Sequence, residues 1–262
     1  METIYQDCNR QARLERDPLA IVKRYEAVED REIAGLICST LAFGAVDLIM
    51  RACETALAPL GDHPAQALAG MDMHDLRELY GNFQYRFCFS KDMIALLGAA
   101  GRIHREHGSL AALLASSDRG EPALVEAASR FVREFRAIGA SLEPGGIRPN
   151  LLPDPADGSS CKRLFLWLRW MVRHDDIDPG GWEQFGKERL VVPLDLHMTR
   201  TCAFRLGFLP VSRAAGSPTL RDAVRVTDAF RVYAPDDPVK YDFALTRPGI
   251  DPKPGDEQYG CL

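Results

Sequence analysis

The sequence is short of lysine, of paired cysteines and of long apolar runs. Its seven cysteines (8, 38, 53, 88, 161, 202 and 261) are odd in number and form no CxxC pair. Neither a zinc ribbon nor an iron–sulfur loop can be assembled from those spacings. Cys38, Cys53, Cys88 and Cys202 stand among apolar residues and read as small buried hydrophobes. The longest apolar runs, such as Met93–Ala100 and Val191–Leu194, are far too short for a bilayer span. The first 17 residues carry acids and no apolar stretch, which does not suit a signal peptide. A net charge of -5 excludes a general nucleic-acid coat, which needs a basic field over much of its surface. Only six of the 32 basic residues are lysines, so a lysine in a central helix stands out.

What is present is helical punctuation. Asp17-Pro18 opens a short helix through Tyr25, Glu29–Phe43 keeps a 3.6-residue apolar period up to Gly44, and Val46–Leu60 runs to Gly61. Ser90-Lys91-Asp92 caps a helix through His107, and Glu121–Ile138 ends at Gly139. Leu190–Val192 is the one strand candidate, so the fold class is all-α. Ala140–Ser160, rich in proline and glycine, reads as a long loop or a lobe boundary.

Chemistry concentrates in two helix starts. Ser159-Ser160-Cys161-Lys162-Arg163-Leu164 begins a helix, capped by serine, that continues as Phe165–Arg173 with apolar residues in nearly every direction. Lys162 lies in the first turn, where free N–H groups carry about half a positive charge and Arg163 adds another. That position favours the neutral amine, the nucleophile of Schiff-base chemistry; a solvated surface lysine is the plainer alternative. Asp195 begins a second helix that Gly207 stops, and the helix dipole favours its ionised form. The plainer alternative here is an ordinary N-cap. His197 and Arg200 share a face of that helix and, with its first amides, form a phosphate grip.

Leu194-Asp195-Leu196-His197-Met198-Thr199-Arg200, followed by Arg205-Leu206-Gly207, resembles the hydrophobic-Asp-x-His-x-x-Arg…Arg-x-Gly signature of the helix-hairpin-helix DNA glycosylase superfamily, the relatives of endonuclease III. Lys162 matches the lysine of its bifunctional members. Leu36–Gly44 is similar to the helix leading into their DNA-probing loop, and Asp237–Leu245 to their closing helix. The usual hairpin is modified, with only Leu152-Pro153 and Gly158…Lys162-Arg163 echoing it. The 33 positions between Lys162 and Asp195 resemble most the archaeal 8-oxoguanine DNA glycosylases. The Cys161-Lys162-Arg163-Leu164…Leu168–Arg173 run also resembles an uncharacterised bacterial family.

The resemblance implies a two-lobed helical glycosylase fold with a modified helix-hairpin-helix. One lobe spans about 29–189 and the other 1–28 plus 190–262. It implies a base-excision-repair glycosylase and AP lyase acting on a flipped oxidised purine, 8-oxoguanine first, through a Schiff base on Lys162 with Asp195 as its acid partner. Asp242, Tyr85 and Phe43 line the base pocket in this reading, and Arg163, His197 and Arg200 meet the DNA backbone. It implies no cofactor and no metal, and a cytoplasmic, nucleoid-associated monomer whose partner is double-stranded DNA with a damaged base. The rival reading is a catalytically silent helical protein of the same fold that binds nucleic acid or a protein partner. Two decoys fall away. Gly181–Lys187 has a P-loop skeleton but is followed by Glu188 instead of Ser or Thr. His174-Asp175-Asp176 with Asp178 lacks further histidines at ligand spacing.

Overall fold

Glycines and capping acids cut the chain into short helices, and the computed structural model describes residues 1–259. In chain order these are α1 (Glu2–Cys8), α2 (Leu19–Val22), α3 (Val28–Leu41), α4 (Val46–Leu57), α5 (Pro64–Gly70), α6 (Met73–Tyr80), α7 (Ser90–His107), α8 (Leu110–Ser117) and α9 (Val125–Leu142). Then follow α10 (Lys162–Val172), α11 (Leu196–Phe204), α12 (Leu220–Arg231) and α13 (Asp242–Ile250). The protein is all-α apart from a two-stranded hairpin, β1 (Gln84–Tyr85) and β2 (Cys88–Phe89), paired antiparallel with Tyr85 opposite Cys88. Leu190–Val192, the strand expected from sequence, is irregular. No helix among the described residues is long and apolar enough to cross a membrane.

The chain forms two compact units, one of residues 17–154 and one of residues 1–16 with 155–262. The boundary at Asp154/Pro155 falls inside the proline- and glycine-rich segment 140–160, whereas the sequence reading set its boundaries at 28/29 and 189/190. The cations of α10 pair with aspartates between positions 175 and 242, so α10 travels with the C-terminal segment.

In the 17–154 unit, α7 is the buried centre and packs against α5, α6, α8 and α9, while α3 packs against α2, α4 and α5. Gly108, at φ 84°, closes α7 in the left-handed region that favours glycine. Glu32 on α3 is fully buried, and its carboxylate accepts hydrogen bonds from the N–H groups of Leu110 (2.7 Å) and Ala111 (3.3 Å) at the start of α8. A buried acceptor thus supplies what the unsatisfied helix start lacks. Gly139 does not stop α9. A Cβ there would lie 3.3 Å from the Ala95 carbonyl and 3.0 Å from Ile147 Cδ1, so this glycine serves close packing and the helix runs on to Leu142. In the other unit, α13 packs against α1 and α11. Trp167, Trp170 and Trp182 are its largest fully buried side chains, with Trp167 meeting Trp182 edge-on at 4.9 Å. Burying such a side chain contributes about 2–3 kcal/mol before conformational entropy is counted. The six cysteines among the described residues are buried, and Cys261 lies outside the described residues.

Candidate active site

Helix α10 opens differently from its sequence reading. Neither serine caps it; Ser159 Oγ instead accepts a hydrogen bond from the N–H of Cys161 (3.2 Å). Cys161 itself is the N-cap, at φ 47° and ψ 35°. That left-handed conformation costs a residue with a Cβ about 1–2 kcal/mol. Lys162 is the first helical residue. The helix is apolar on most sides, yet Lys162, Arg169 and Arg173 are spaced i, i+7 and i+11 and fall within an arc of about 40° around the axis. This stripe of cations meets a set of aspartates in the same unit.

Asp195 is the N-cap of α11, and its Oδ1 accepts from the N–H of Met198 at 2.8 Å. Its Oδ2 lies 3.4 Å from Lys162 Nζ. The plain reading of Asp195 as a cap and the sharper one as a partner of Lys162 therefore hold together, one oxygen for each. The lysine side chain keeps 33% of its surface exposed and the aspartate 16%, so the pair is held but reachable.

Two turns further along α10, Arg169 donates from Nη1 to Asp242 and from Nε and Nη2 to Asp178 Oδ1 (3.2 and 3.0 Å). Arg173 donates to Asp178, to Asp237 (3.0 Å) and to Asp175 (3.0 Å). Asp175 also accepts from the Tyr5 hydroxyl at 3.2 Å and from Asn9 Nδ2 at 3.1 Å. Burial opposes the charge on Asp175, but Arg173, the backbone N–H groups of Asp178 and Ile177 (2.8 Å each) and Asn9 prevail and lower its pKa to about 2. Asp242 goes the other way. Its burial outweighs the Arg169 cation, the negative charge of Asp195 adds to the effect, and its pKa rises to about 6. The aspartates that sequence offered as metal ligands, Asp175 and Asp178, are the counter-ions of two buried arginines.

The remaining sequence-selected residues sort as follows. Asp242 is buried at the start of α13 with its carboxylate held by Arg169, a partner the sequence reading did not foresee. Arg163 is half-buried beside Lys162. His197 is exposed and Arg200 half-buried on α11, and neither side chain has a hydrogen-bond or ion-pair partner among the described residues. Phe43 and Tyr85 belong to the 17–154 unit. Tyr85 is buried and its hydroxyl donates to the Phe43 carbonyl, so it offers no free ring face of the kind expected of a base stacker. Phe87 and Phe89 are the exposed rings of that hairpin, and Phe87 is stacked on Phe43 at 4.3 Å and 11° and preceded by Arg86 at φ 51°. Sequence gave no signal for Phe87, since turn type follows from tertiary contact. The i, i+7, i+11 stripe on α10 was a readable signal for the aspartate network.

Charge divides unevenly. The unit holding Lys162 and Asp195 carries 18 basic and 18 acidic residues, and the other carries 14 and 19. The acidic excess of the chain thus lies wholly in the unit without the lysine.

No curated protein and no solved structure matches the chain. A family model described as protein of unknown function, DUF2400, matches residues 17–251, a span that holds Lys162, Asp195 and Asp242. With that match covering far more than half of its length, the protein belongs to the DUF2400 family.

Proposed function

We propose that this protein is a DNA glycosylase with AP lyase activity on an oxidised purine, 8-oxoguanine first among them. The observation that carries this reading is the approach of Lys162 Nζ to within 3.4 Å of Asp195 Oδ2, from helix starts 33 positions apart. A primary amine beside a carboxylate, both partly open to solvent, suits nucleophilic attack on a sugar.

In this mechanism the damaged base leaves the stack, at a cost of a few kcal/mol. The Lys162 nitrogen bonds to C1′ as the bond from C1′ to the base breaks, and the electron pair leaves with the base. Asp195 serves in one of two ways: it takes the proton that the amine gives up, or it stays ionised, the proton passing to water, and stabilises the cationic sugar as it develops. Opening of the sugar ring gives the iminium. A C2′ proton then passes to water, its bonding pair forms the C2′–C3′ double bond, and the 3′ phosphate leaves with the C3′–O pair, which cuts the strand. His197, Arg200 and Arg163 are the candidate phosphate contacts, with the first amides of α11.

Borohydride trapping on duplexes containing 8-oxoguanine or an abasic site tests the proposal. The protein forms a covalent adduct, and Lys162→Gln does not. No adduct, or one unaffected by Lys162→Gln, refutes it. DNA binding without an adduct favours the silent nucleic-acid-binding protein, for which the Lys162–Asp195 pair is a structural tie.

A further inference from the structure

Asp242 is held by the same stripe of α10 that carries the lysine of the candidate pair. Along the stripe of α10, Lys162 meets Asp195 and Arg169, about 10 Å further on, meets Asp242. Asp195 begins α11 and Asp242 begins α13, and these two helices pack on each other. Asp242 is 5% exposed, and the groups that face it are Arg169 from α10, Asp195 and Cys202 from α11, and Asp178 from the segment after α10. Arg169 is shared between Asp242 and Asp178 and so neutralises neither fully.

We propose that Asp242 is a positioning residue that sets the negative charge behind Asp195, and through it the support given to a cationic sugar or iminium bound to Lys162. This rests on the function proposed above. The step itself is a proton transfer at Asp242: ionised, its carboxylate stands with Asp195 against the developing positive charge; protonated, it withdraws one of the two anions. Burial raises Asp242 to about 6, which brings the change into the working range of pH. The sign follows. Activity is supported above that value and falls as the pH drops through it.

Two measurements decide the matter. Single-turnover trapping across pH 5–8.5 compares the wild type with Asp242→Asn and Asp242→Glu. The wild type shows an acid limb near pH 6; Asp242→Asn is about tenfold slower at pH 8, the effect of one pH unit of proton affinity, and lacks that limb; Asp242→Glu recovers it. An unchanged limb in Asp242→Asn overturns the proposal. A readout without DNA separates this from failure of the glycosylase reading: the Asp242 carboxyl is titrated by carbon NMR in the full chain and in Asp195→Asn, which preserves the helix cap. Removal of the neighbouring anion lowers the midpoint by about half a pH unit. An unmoved midpoint overturns the coupling, even if no duplex is ever trapped or Asp242→Asn does not fold.

Discussion

Replacing Arg173 by glutamine tests the aspartate network directly. The guanidinium is 4% exposed and bonds three carboxylates, one of which, Asp178, has no exposed surface. Removing one partner of such a buried set leaves charge uncompensated and costs about 3–5 kcal/mol. That is a large share of the roughly 5–15 kcal/mol that holds a domain folded. With a urea dependence of about 2 kcal/mol per molar, the unfolding midpoint at pH 7 falls by about 2 M. The pH dependence adds a second check. In the wild type, Asp175 sits at about 2, below its ordinary 3.8, so it contributes stability above pH 4 that is lost as the pH falls towards 2. In Arg173→Gln its main cation is gone and burial raises it instead. The variant then gains from protonation, and its deficit narrows between pH 7 and pH 4. Urea melts of both proteins across that range measure this. A loss under about 1 kcal/mol at pH 7, or a deficit that does not narrow on acidification, refutes the view of Arg173 as the anchor of these acids.

Two more outcomes follow from the same geometry. Glu32→Ala strips the start of α8 of its buried acceptor and lowers stability by about 2–3 kcal/mol, with faster amide exchange at Leu110 and Ala111; unchanged exchange there would show that water caps the helix equally well. Asp195→Asn keeps the bond from Met198 N–H and melts within about 1 kcal/mol of the wild type, whereas Asp195→Ala loses about 1 kcal/mol with the cap. Both variants lose the trapped adduct, which assigns the cap to one oxygen and the chemistry to the other.

The helices were readable where their stops are local. Gly61 and Gly108 adopt positive φ where a helical segment ends, and the helix read through His107 does end there, although its N-cap is Phe89 instead of Ser90; α11 ends at Phe204, three residues before the Gly207 expected to stop it. Gly139 misled because its reason is tertiary: it makes room for Ile147 and the Ala95 carbonyl. The hairpin at 84–89 was missed because two-residue strands carry no alternation to read. At the site, Lys162 and Asp195 were named from the character of two helix starts. Asp242 was named by resemblance, but its engagement with Arg169 was not, because ion pairing across 73 positions leaves no local pattern.

One property separates the three cations of α10. Arg169 and Arg173 are 3% and 4% exposed, and each binds at least two carboxylates through a planar fork that stays charged. Such groups are suited to holding helices and loops in place. Lys162 is one third exposed, meets the Asp195 carboxylate at 3.4 Å, and ends in a primary amine instead of a guanidinium. An arginine there would keep the attraction to Asp195 and be useless as a nucleophile. In a chain with 26 arginines to six lysines, a lysine at the reachable end of an otherwise arginine-bearing stripe is what covalent chemistry requires and what a purely structural tie does not.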